Sequence, residues 1–135
     1  TCALPIFANV PGDWASVFHI SGTGNNCCNP GDRVPAVWIS AAQTIHFTNL
    51  VSGDGNLWLN FNYQLNTPYK VSISQNQPKN GVSKYQIMVN GVLFYTGINT
   101  SPTTFPSAVL YFGDPWYNPL DFGTLSNFYA SDVGK

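Results

Sequence analysis

Residues 56–65, NLWLNFNYQL, alternate apolar and polar side chains with the period of a β-strand. Leu57, Leu59, Phe61, Tyr63 and Leu65 fall on one face, and Trp58, Asn60, Asn62 and Gln64 on the other. Shorter runs of similar character occur at 15–22, 34–41, 44–51, 69–75, 107–114 and 123–131. In YQIMVNGVLFYTG (85–97), Asn90-Gly91 separates two such runs and suits a two-residue type I′ turn, where both central residues need positive φ. Turn clusters at 53–55, 66–68, 76–81 and 101–106 punctuate the rest. Helix signals are nearly absent: DWASVFHI (13–20) could make one turn, which Gly22 and Gly24 would stop. About eight short strands at regular spacing predict an all-β chain, an antiparallel sandwich or barrel in one domain spanning 1–135.

Charge explains what such a chain can touch. Charged residues are 8% of the total, glutamate is absent and net charge is −1, which gives no electrostatic case for nucleic acid or an anionic membrane. No apolar run is long enough for a membrane-spanning helix. Fifteen asparagines, with Gly, Pro, Ser and Thr, supply the polarity instead. Such a neutral surface suits hydroxyl-rich partners such as glycans, and equally a turn-rich β-protein. It also lacks the usual charge defence against self-association, so a homo-oligomer is expected.

Three cysteines and the start at Thr1 point to a secreted, extracellular protein. Adjacent cysteines rarely pair with each other, so Cys2 is expected to bond to Cys27 or Cys28, leaving the third for an inter-chain bridge. Three reduced thiols are the alternative. Asn99-Thr100-Ser101 reads as a glycosylation sequon.

Residues 69–114, with the YQIMVNG hairpin, a proline-containing crossover and a strand ending in Gly113-Asp114, resemble the second half of a concanavalin A-like jelly roll of the galectin and laminin-G kind. The resemblance implies an antiparallel two-sheet β-sandwich, often a lectin-like carbohydrate binder and usually secreted. It covers about a third of the chain. The galactose-reading residues of galectins are not carried over: Thr48 and Leu50 stand where Asn and Arg would follow His46, and no glutamate exists to follow a tryptophan. A calcium-dependent relative would need clustered acidic and amide oxygens, for which Asp54, Asn56 and Asp114 are candidates. Turn chemistry explains Asp54 equally well.

Sugar recognition needs planar polar groups beside an aromatic platform. Two places qualify. In a meander, His46 and Thr48 would lie beside Trp58, Asn60 and Asn62 on an outward sheet face, covered by a sugar, a protein or another layer. In YFGDPWYNPLDFG (111–123), Asp114, Trp116, Tyr117 and Asn118 sit on a loop stiffened by Pro115 and Pro119, unless Trp116 plugs the core. Arg33, the only arginine, is expected to anchor its loop to a carbonyl or to Asp13. Catalysis finds little support. Glycoside hydrolysis needs paired carboxylates, and the chain has no glutamate and no close aspartate pair on one strand. The expected function is thus a non-enzymatic lectin-like module. The alternatives are a self-assembling extracellular structural protein and a laminin-G-like protein-binding domain.

Overall fold

The computed structural model describes residues 2–4 (backbone), 7–9, 11–76 and 78–131. Among these there is no helix. Ten strands run β1 (Cys2–Leu4), β2 (Ala15–Ser21), β3 (Ala36–Ser40), β4 (Thr44–Thr48), β5 (Leu59–Asn62), β6 (Tyr69–Gln75), β7 (Ser83–Val89), β8 (Val92–Asn99), β9 (Val109–Tyr111) and β10 (Asn118–Pro119). They form a four-stranded sheet, β1-β6-β7-β8, and a six-stranded sheet, β10-β2-β3-β4-β5, with β9 also on β2. Every pairing is antiparallel except β10 on β2.

The alternation explains how the sheets meet. Val37, Ile39, Ile45 and Phe47 of the larger sheet share one buried core with Val71, Tyr85, Ile87 and Val89 of the smaller. Phe94 of β8 meets Phe47 and Phe61 of the opposite sheet at ring-centroid distances of 5.8 and 5.4 Å. Burying each such side chain stabilises the fold by roughly 1.5–3 kcal/mol. The arrangement is that of a β-sandwich.

Local signals behave as their chemistry dictates. Asn90 and Gly91 both take positive φ, 52° and 78°, and join β7 to β8. DWASVFHI forms no helical turn; its Ala15–Ile20 portion enters β2 because Ser16 and His19 find partners across the sheet while Val17 and Phe18 join the core. A register shift between Ser16 and Phe18 permits two adjacent core residues. The run at 123–131 is not a strand. It covers the edge of the core through side chains instead, with Phe128 against Phe18 and Phe112 at 5.2 and 4.9 Å.

The cysteines differ from expectation. Cys27 is bonded to Cys28, so neither is available to Cys2. Topology gives a reason: β1 places Cys2 opposite Val71 in the four-stranded sheet, whereas Cys27 and Cys28 lie in the β2–β3 loop of the other sheet. The Cys2 side chain lies outside the described residues.

Candidate functional site

The larger sheet turns a polar and aromatic row away from the core. Register places Ser16, Trp38, His46 and Asn60 side by side across β2, β3, β4 and β5. One step along, Thr44 faces Asn62. The meander expectation therefore holds for the pairing of His46 with Asn60.

At the open end of this row three rings converge. The Trp58 ring lies 4.2 Å from His46, Trp14 lies 5.1 Å from His46, and Trp14 meets Trp58 edge-on at 5.6 Å. These rings bury His46 while Trp58 itself remains 54% exposed. Burial holds the His46 pKa below its ordinary value; the Asn60 hydrogen bond opposes the shift and the Arg33 charge reinforces it. A neutral imidazole with its proton on Nδ1 donates to Asn60 Oδ1 at 2.8 Å. That bond leaves the Asn60 amide N–H groups to the outside. Asn62 is exposed beside it.

The other half of the face is covered by the 112–119 loop, pinned by Asp114. This carboxylate is 3% exposed. Its Oδ2 accepts from Ser16 Oγ at 3.0 Å and Trp38 Nε1 at 3.2 Å, and faces His19 Nδ1 at 3.2 Å. Its Oδ1 accepts the backbone N–H groups of Trp116 and Tyr117 at 3.2 and 3.1 Å. Burial alone would raise the Asp114 pKa. The bonds from His19, Ser16 and Trp116, with the His19 charge, outweigh it and hold the carboxyl below its ordinary range. His19 Nε2 lies 2.6 Å from the Asp32 carbonyl oxygen, which only accepts, so that nitrogen carries a proton.

Asp114 is thus a structural anchor with its oxygens engaged. The loop it holds presents Trp116, 37% exposed, against His19 and Tyr111, both at 5.4 Å. Trp116 is not a core plug. Tyr117 meets Trp38 edge-on at 5.5 Å, and Asn118 lies exposed in β10. Trp38 in turn lies 5.9 Å from His46. The two stretches singled out in sequence are therefore linked beneath the face, through the buried Trp38 and His46 rings.

Arg33 ties it together. Its guanidinium sits 4.6 Å over the Trp38 ring. Nε donates to the Asn26 carbonyl at 3.0 Å, one terminal nitrogen donates to Asn56 Oδ1, and the other to Tyr117 Oη at 3.5 Å. Burial pulls the Arg33 pKa down, against Tyr117, Asp114 and Asp32, which pull it up. The carbonyl anchor foreseen for Arg33 is Asn26. The oxygens considered for calcium are not gathered: Asn56 accepts from Arg33 and Thr48, Asp54 caps the Asn56 N–H at 2.9 Å, and Asp114 is held as above. Among the described residues no three metal-ligating side chains cluster.

Asn99, the sequon asparagine, is engaged in the fold. It is 2% exposed; its amide nitrogen donates to Gln75 Oε1 at 2.8 Å, and its oxygen accepts from the Ser52 N–H at 2.8 Å. In the folded chain Asn99 is a structural clamp, and a glycan on that nitrogen would have to break the bond to Gln75.

Sequence reasoning passed over Trp14, Trp38 and Arg33 as site residues. Trp38 had a signal in its alternation with Val37 and Ile39; Trp14 and Arg33 reach the face from loops. No protein-family model matches the chain, and neither a curated protein nor a solved structure shows significant similarity to it.

Proposed function

We propose that the chain is a non-enzymatic carbohydrate-binding module on a concanavalin A-like jelly roll, secreted, reading neutral glycans with the open half of its larger sheet. The observation that carries the reading is the Trp58 ring standing exposed beside an Asn60 amide already oriented by His46. A pyranose laid on Trp58 would stack its C–H face while its hydroxyls accept from Asn60 and bond to Asn62. Trp116, Tyr117 and Asn118 would extend the surface toward a second residue of an oligosaccharide. Asp114 and His46 act beneath it, as supports.

A glycan array with the wild type and Trp58→Ala tests this. The expected result is binding to at least one neutral glycan, weakened about tenfold or more in the variant. A folded wild type that binds nothing on the array overturns the proposal. Self-assembly is the second reading, favoured by Val92, Leu93, Ile98 and Met88, which are exposed on the β7–β8 hairpin. Light scattering at high concentration separates the two.

A further inference from the structure

Most sheet edges among the described residues are guarded. β1 and β9 are three residues long, β5 is four, and β10 is two and contains Pro119. Short edges and prolines are common defences against pairing with another chain. β8 is the exception. It is the longest strand described, eight residues of sequence VLFYTGIN with no charge and no proline, and it stands at the open end of the four-stranded sheet.

Register shows what this edge offers. Leu93, Thr96 and Ile98 lie opposite Met88, Gln86 and Lys84, while Phe94 and Tyr95 pack against the core. Leu93 and Ile98 are 49% and 59% exposed. The two-residue Asn90-Gly91 turn makes Val89 and Val92 a hydrogen-bonded pair, so Leu93 directs its N–H and C=O out of the sheet. Phe94 is an extra residue at the register shift, and beyond it the same orientation passes to Thr96 and Ile98. The Ile98 carbonyl agrees, since it accepts from Ser52 Oγ, outside the sheet, at 2.9 Å. Among the described residues nothing takes the outward backbone groups of Leu93 and Thr96.

A second copy of the same strand fits this edge. Run antiparallel about a two-fold axis at Thr96, the outward N–H and C=O of Thr96 bond to those of Thr96 in the second copy. With Phe94 and Tyr95 together counting as one position, Leu93 then falls opposite Ile98 of the second copy, apolar against apolar on one face. The Ile98 carbonyl can accept a second bond beside that from Ser52. Lys84, next to Ile98, lies at opposite ends of the seam in the two copies, and a net charge of −1 gives little repulsion.

We infer that β8 is a homodimerisation edge, joining two four-stranded sheets into one through Leu93, Thr96 and Ile98. This dimer gives the self-assembly reading one defined partner and rests on that reading, not on the Trp58 surface. A two-fold contact uses β8 once and leaves only the short β1 at each end of the joined sheet, so growth stops at two copies. A seam this short buries less than the roughly 800 Å² per partner of a standard interface, so dissociation on the order of micromolar is expected.

Sedimentation velocity over a concentration series tests this with the wild type, Thr96→Lys, Thr96→Glu and an equimolar mixture of the two variants. Thr96 is exposed, so both substitutions leave the fold intact, which circular dichroism checks. The wild type is expected to dimerise. Each variant sets like charges opposite each other across the axis and should associate at least about tenfold more weakly, while the mixture pairs opposite charges and regains the dimer. A wild type that stays monomeric throughout overturns both the β8 dimer and the self-assembly reading. Association that either variant leaves unchanged, a mixture as weak as the variants alone, or species growing past two copies overturns the β8 dimer and leaves self-assembly to another face.

Discussion

His46 Nδ1 lies 2.8 Å from Asn60 Oδ1 across the β4–β5 pair, directly opposite in register. A buried histidine thereby decides which way an exposed amide points. The Nδ1–H donates to Asn60 in the neutral and the protonated ring alike, and it is burial that keeps the ring neutral by lowering its pKa from 6.5.

Acid should therefore act on this protein in two stages. Below pH 6.5 the unfolded chain takes up a proton at this histidine before the folded one does, so the His46 contribution is complete above 6.5 and is lost as pH falls through the folded value. Asp32 and Asp114, both lowered from 3.8, contribute above that value and fail only at stronger acidity. Urea midpoints should decline between pH 6.5 and 3.8 in the wild type and stay flatter there in His46→Gln. Identical slopes in the two proteins would remove His46 as the cause.

Arg33 is the second lever. Its fork holds Asn26, Asn56 and Tyr117 while its face covers Trp38. A lysine carries the charge but cannot span three acceptors or stack as a plane. Arg33→Lys is expected to cost about 2 kcal/mol of stability, the scale of a lost charge-assisted hydrogen bond. Chemical denaturation measures it, and a cost near zero would show that the charge alone matters.

Asp114→Asn tests the loop anchor. An amide keeps one accepting oxygen but presents N–H groups to donors that Ser16, Trp38 and His19 now direct at Oδ2. The substitution also strips His19 of its facing carboxylate. Destabilisation of about 3 kcal/mol is expected, the scale of a buried pair broken on one side. Trp116 fluorescence should change with it, because the backbone bonds that seat Trp116 and Tyr117 end on the same side chain. A stable variant with unaltered fluorescence would mean that the prolines alone shape the loop.

Which of these relationships can be read from sequence follows from how far apart the partners are in the chain. The Asn90-Gly91 turn is set by two adjacent residues, and the outward row of β5 by a ten-residue alternation in 56–65, so both are visible in the string. The inward half of that alternation ends early: Leu65 is exposed because the chain turns at Asn66, whose φ is 56°. Asp114 finds Ser16 and His19 across 98 and 95 positions, and Tyr117 finds Arg33 across 84. No local pattern encodes contacts of that span. The Cys27–Cys28 bond was missed for a different reason, since a general rule against neighbouring pairs outweighed the particular loop.

The last prediction concerns Asn99, where sequence and geometry disagree. The sequon is intact, yet Asn99 Oδ1 accepts from the Ser52 and Ser101 backbone N–H groups, and Nδ2 binds Gln75. These bonds tie the β4–β5 loop to the end of β8, so the amide serves as a cross-sheet clamp. Once folded, its nitrogen is out of reach of a transferase. Protein expressed through a secretory route should keep the mass of the bare chain at this site, with no change on amidase deglycosylation. Asn99→Asp, which keeps the accepting oxygen and loses the bond to Gln75, should cost about 1–2 kcal/mol. A glycan found on Asn99 in folded protein would require the clamp to open, and with it the packing of Ser52 against β8.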